Sequence, residues 1–66
     1  MNNIRAIREK ALMTQADLAL KTGFTGATIN RVETGRVKSP HFFTRKKIAQ
    51  ALKVTVEELG FNRNGE

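Results

Sequence analysis

The sequence contains no cysteine and one histidine, His41, among 66 residues. The missing cysteines exclude disulfide staples, thiolate metal sites and thiol nucleophiles. One histidine cannot supply a His/Cys zinc site within the chain, so neither a metal nor a cofactor is expected. No apolar run approaches the ~20 residues needed to cross a bilayer. The opening Met1-Asn2-Asn3-Ile4-Arg5 lacks the apolar stretch of a secretion signal. A soluble, cytoplasmic protein is therefore expected. A chain this short forms one small domain and excludes a large α/β enzyme with a separate cofactor domain. At 39% hydrophobic residues it can still build a core, which argues against simple disorder.

Acidic residues are the other scarcity. There are 6 Asp and Glu against 12 Lys and Arg, a net charge of +6. Residues 1–53 carry a local net of +8 and residues 54–66 a net of −2. Such an imbalance suits a polyanionic partner, either nucleic acid or an anionic membrane, or it is a solvated face kept for solubility. A membrane surface fits less well, because the basic residues are spread over several segments rather than along one long amphipathic helix.

Helix signals dominate and no segment alternates as a strand does. Ile4, Ile7, Arg8, Ala11 and Leu12 form one stripe of a helix at about 4–12, with Asn2 or Asn3 as its cap. Thr14-Gln15-Ala16-Asp17 reads as a capping box, with Asp in the usual Glu/Gln place, opening a helix at about 15–22. Gly23 stops it, because glycine accepts positive φ after a helix. Thr25 caps the next helix, about 26–34, and Gly35 ends it. Pro40 marks 36–41 as a loop containing His41. Thr44 can cap a helix at about 45–53, with Ile48, Ala49 and Leu52 inward. A start at Ser39 that would include Phe42 and Phe43 stays open. Thr55-Val56-Glu57-Glu58 is a full capping-box pattern that opens a one-turn helix, points Leu59 to the core and ends at Gly60. The expectation is a compact all-α domain of five short helices over residues 1–60, followed by a fraying tail over 61–66.

The segment 15–34 has the form of a helix-turn-helix. Leu18 and Ala19 face inward from its first helix, Phe24 fills the turn, and Ile29 and Val32 face inward from the second. At ~100° per residue, Ala27, Asn30, Arg31 and Thr34 lie on the opposite face of the second helix. Thr28 lies at the edge and Gly26 at the exposed first turn. Small and hydrogen-bonding residues of this kind can enter the DNA major groove. There Arg pairs with guanine, Asn with adenine, and Ala or Thr methyls touch thymine. Any surface helix, however, shows polar residues outward.

Gln15-Ala16-Asp17-Leu18-Ala19, Gly23-Phe24-Thr25 and Thr28-Ile29-Asn30-Arg31-Val32-Glu33, followed by Gly35, resemble the lambda-repressor/Cro-like (Xre-type) helix-turn-helix family. Ile48-Ala49-Gln50-Ala51-Leu52-Lys53-Val54 and Glu57-Glu58-Leu59 resemble that family's fourth and fifth helices. The likeness covers about 4–59. It implies a five-helix domain that reads DNA with its third helix, often as a symmetric dimer. By that resemblance Gly26, Ala27, Thr28, Asn30 and Arg31 read bases. Thr14, Gln15, Thr34, Arg36 and Lys38 bind phosphates, and Arg8 and Glu33 form an internal ion pair. Leu12, where the family has Gly or a polar residue, departs from the pattern. So do Arg45 and Lys46 at often apolar positions, and a loop about one residue longer before Pro40.

These readings converge on a sequence-specific double-stranded DNA binder, a small repressor acting as a homodimer on a palindromic operator. The alternative is a protein-interaction module, such as an antitoxin-like partner or assembly adaptor, with Leu12, Leu20, Phe43 and Phe61 as its contact patch. Phe42 and Phe43 are read as core or staple residues. The triplet Arg45-Lys46-Lys47 is either a phosphate contact or a solvated face. An enzyme is not expected: Ser39, His41 and Asp17 are a nominal triad only, and no small-molecule ligand is indicated.

Overall fold

The computed structural model describes residues 2–38 and 40–61. Four α-helices occur among them: α1 (Ile4–Lys10), α2 (Gln15–Thr22), α3 (Gly26–Glu33) and α4 (Phe42–Leu52). The expected fifth helix is a single 3-10 turn over Glu57–Leu59. The described residues contain no strand. The expectations for Ser39 and for residues 62–66 fall outside the described residues.

Local chemistry sets the boundaries. The Thr14 hydroxyl accepts the Asp17 amide and the Asp17 carboxylate accepts the Thr14 amide, so α2 opens on a complete capping box. Gly23 closes it in the left-handed region at φ 81°. Thr25 caps α3 by accepting the Thr28 amide. The 3-10 turn repeats the box with Thr55 and Glu58. Asn2 serves α1, its side-chain oxygen accepting the Ile4 amide at 3.0 Å.

Two boundaries differ from expectation. α1 ends at Lys10 rather than near Leu12, because the chain turns through a left-handed residue there. Leu12 has φ 60°, and the Leu12 and Met13 amides donate back to the carbonyls of Glu9 and Arg8. This is a Schellman turn with leucine where glycine is usual. It throws Leu12 off the inward stripe, leaving it 92% exposed. α4 starts at Phe42, earlier than residue 45, and its cap is His41 rather than Thr44: the His41 Nδ1 accepts the Phe43 amide at 3.1 Å.

α2 is the hub, packing on α3 and on α4, while the 3-10 turn packs on α4. Ile4, Leu18, Ile29, Ile48 and Leu59 are fully buried, one from each element. Ala19 is small and buried where α2 meets its neighbours. Thr22 is buried in the helix-turn-helix bend without an unmet polar group. Its hydroxyl donates to the Leu18 carbonyl and accepts the Phe24 amide.

Candidate nucleic-acid interface

α3 is divided lengthwise. Ile29, Val32 and Glu33 are buried, whereas Gly26, Ala27, Asn30 and Arg31 are exposed. Thr28 is half-buried, its hydroxyl accepting a hydrogen bond from that of Thr25. A Cβ added at Gly26 would meet nothing within 4 Å, so the first turn of α3 presents bare backbone to the outside. The face holds together all five residues expected to read bases.

The inward side is anchored by charge as well as by apolar contact. The Arg8 Nε donates to Glu33 at 2.5 Å and its second terminal nitrogen donates to the other carboxylate oxygen at 3.2 Å. A further Arg8 nitrogen donates to the Met13 carbonyl at 2.7 Å. The bonds to Glu33 raise the Arg8 pKa, against the opposing effect of burial. Gln15 completes the cluster, its side-chain amide donating to Glu33 at 3.1 Å. Three side chains from α1, α2 and α3 thus meet at one carboxylate. Two buried opposite charges are tolerable only when paired and hydrogen-bonded in this way.

The residues expected to bind phosphate divide into two groups. Arg36 and Lys38 are exposed just beyond α3 and take no part in an ion pair among the described residues. A second Schellman turn places Arg36: its amide donates to the Arg31 carbonyl and that of Gly35 to the Val32 carbonyl. At the start of α2, Thr14 is engaged by the capping box: its amide donates to the Asp17 carboxylate, and its hydroxyl accepts the Asp17 amide and lowers the Asp17 pKa through a hydrogen bond of its own. The Gln15 amide lies in the first turn, where backbone N–H groups have no acceptor within the helix. The side chains of Gln15 and Thr34 are already engaged, Gln15 with Glu33 and Thr34 with the Asn30 carbonyl at 2.8 Å. Asn2, Gln15, Asn30 and Thr34 border a hollow of about 570 Å³ beside α3.

Further along, Phe42 and Phe43 are each 57% exposed, so neither belongs to the core. Arg45 lies over the Phe42 ring and Lys47 over the Phe43 ring, at 5.8 and 5.7 Å. Of the basic triplet only Lys46 is fully exposed. His41 and Asp17, two members of the nominal triad, are occupied as helix caps.

A helix-turn-helix family model matches residues 4–59. The chain belongs to this family, in its lambda-repressor/Cro-like form. Over 56 residues it is 41% identical to the HTH-type transcriptional repressor RghR of Bacillus subtilis (strain 168), a stretch covering 85% of this chain and 42% of that protein. It is 38% identical over 56 residues to the uncharacterized HTH-type transcriptional regulator RghRB of the same organism, covering 85% and 40%. The chain thus spans about two fifths of the length of these curated relatives. No solved structure matches it. The helix-turn-helix consists of α2 and α3, and no helix among the described residues is long and apolar enough to cross a membrane.

Sequence periodicity identified the exposed face of α3. It missed the link from Gln15 to Glu33 and the part played by Asn2, because both depend on contacts between residues 18 and 30 positions apart.

Proposed function

We propose that this helix-turn-helix domain is the operator-reading unit of a cytoplasmic transcriptional regulator, a small repressor that binds double-stranded DNA sequence-specifically. The observation that carries the reading is the lengthwise division of α3. One side is locked to α1 and α2 through Glu33, and the other offers Ala27, Asn30 and Arg31 outward. In this reading α3 lies in the major groove. Arg31 pairs with guanine and Asn30 with adenine, Ala27 and the Thr28 methyl meet thymine methyls, and Gly26 lets backbone approach closely. The Gln15 backbone amide at the α2 start, assisted by the helix dipole, and Arg36 and Lys38 take phosphates on either side, whereas Thr14 and Thr34, expected to do so, have their donors committed to Asp17 and Asn30. Residues 1–60 are the reading unit, and Phe61, expected in the tail, packs against its core.

One recognition helix contacts few base pairs, so two copies on a palindromic operator supply the specificity. The surface for that homodimer is the groove between α4 and the 3-10 turn, lined by Phe42, Arg45, Val56, Glu57 and Phe61.

Binding-site selection from random duplex DNA tests this function. The expected result is one enriched motif with two symmetric half-sites. Arg31→Ala should then cost about 1–3 kcal/mol on the best site and relax one base position. Lys38→Ala should weaken all sequences alike. A stable heteromer recovered with no enriched motif would point instead to a protein-interaction module.

A further inference from the structure

The N-terminal residues tie the start of α1 to the end of α3 and to the 3-10 turn. The Asn2 side chain acts in two directions. Its oxygen accepts the Ile4 amide at 3.0 Å, and its nitrogen donates to the Val32 carbonyl at 2.7 Å. Asn3 reaches the opposite end of the chain, with its amide on the Leu59 carbonyl at 2.8 Å and its side chain on that of Glu58 at 3.3 Å. Val32 lies in the last turn of α3, where carbonyls lack helical partners. Its carbonyl also accepts the Gly35 amide, at 3.3 Å, in the turn that orients Arg36. The next carbonyl back, that of Arg31, accepts the amides of Arg36 and Val37. Whatever holds the Val32 peptide therefore bears on the turn that carries the chain from Arg31 to Arg36. Asn2 is half-buried beside Asn30 and Thr34 in the hollow along α3.

We propose that Asn2 is a positioning residue for the recognition helix: anchored by the α1 cap, its amide nitrogen holds the Val32 peptide and so aims Arg31 and Arg36 without touching DNA. The proposal rests on the DNA-reading assignment of α3. It adds a residue that neither the periodicity of α3 nor the charge distribution marks.

Two variants of the full chain separate the two halves of the Asn2 side chain. Asn2→Ser keeps a cap acceptor but loses the reach to Val32. Asn2→Asp keeps shape and acceptor and loses the N–H donor. Hydrogen exchange on the free protein is the first readout. The Gly35, Arg36 and Val37 amides should exchange several-fold faster in both variants, with Leu18 and Ile29 unchanged. DNA binding by Asn2→Ser is the second. Affinity for the selected operator should fall about 2–10-fold, the range expected for one neutral hydrogen bond. Base preference should relax where Arg31 reads and hold where Ala27 reads. The salt slope should stay the same, since no phosphate contact is removed. Unaltered exchange at the end of α3 would overturn the proposal. So would a shallower salt slope, which would make Asn2 a phosphate ligand, or a uniform loss of protection, which would make it a general fold residue. If wild-type protein selects no motif, the DNA assignment fails, while the exchange result still decides whether Asn2 holds α3.

Discussion

Glu33 is where fold and function meet at a single side chain. It sits on α3, the helix proposed to read DNA, yet it is 6% exposed and takes donors from Arg8 and Gln15. Removing one member of a buried ion pair leaves the other charge unpaired, at a typical cost of about 3–5 kcal/mol. A domain of this size has a total stability of roughly 3–10 kcal/mol. Glu33→Ala should therefore leave the protein largely unfolded at 37 °C, as read by circular dichroism. The double variant Arg8→Met/Glu33→Leu should be more stable than either single change, because no buried charge is then left unpaired. A double variant as unstable as the sum of its parts would refute this account. Leu12 presents the opposite case. Its backbone is left-handed at φ 60° and its side chain is 92% exposed, so it carries backbone strain with almost no burial in return. An L-residue in that region costs about 1–2 kcal/mol. The extra freedom glycine gains in the unfolded chain returns about 0.4–1 kcal/mol of that. Leu12→Gly should thus stabilise the domain by about 0.5–1 kcal/mol, a rise of a few degrees in melting temperature.

At the scale of elements, the caps carry a pH dependence whose sign is fixed. Asp17 has its pKa lowered, first by the Thr14 backbone amide and then by the Thr14 hydroxyl. Glu58 is lowered in the same way by Thr55. A carboxylate with a depressed folded-state pKa contributes stability that is complete above its unfolded value, ~3.9 for Asp and ~4.3 for Glu, and lost as pH falls through the folded value. The melting temperature of wild type should therefore exceed that of Asp17→Asn/Glu58→Gln by a constant margin from pH 7 to about 5. The margin should close below about pH 4. A margin that persists at pH 2 would show that the carboxylate charge is not what the caps use. These two boxes were legible in the sequence because Thr-x-x-Asp and Thr-x-x-Glu are local patterns that state their own geometry. The start of α4 was not legible, since imidazole seldom caps a helix and Arg45 and Lys46 blurred its apolar stripe. The end of α1 was overrun because Leu12 matches helical spacing by residue type, while the Schellman turn that expels it depends on backbone geometry. The exposed face of α3 was legible for a simpler reason: buried Ile29 and Val32 fix which side faces out. Asn2 and Gln15 reach their partners through the folded core, and no local pattern announces that.

For the whole molecule, the question is how a lopsided charge distribution and an incomplete surface fit together. Basic residues occur on all four helices, while Glu57 and Glu58 lie on the 3-10 turn. The groove between α4 and that turn combines exposed Phe42 and half-buried Phe61 with one charge of each sign. Arg45 Nε is buried there without a hydrogen-bond partner, and Glu57 is in no ion pair among the described residues. A two-fold contact requires a patch that complements itself, because residue i meets j′ while j meets i′. In the proposed homodimer, Arg45 of one copy opposite Glu57 of the other would satisfy that requirement, twice per dimer. Arg45→Glu and Glu57→Arg should each weaken self-association about tenfold or more in sedimentation equilibrium, and the double reversal should restore it. DNA binding separates this from a general charge effect. Adding positive charge by Glu57→Arg would tighten binding if bulk electrostatics governed it, whereas a broken dimer contact weakens binding to a paired operator and leaves an isolated half-site unaffected. Tighter operator binding by Glu57→Arg, with sedimentation unchanged, would place the dimer contact elsewhere on the molecule.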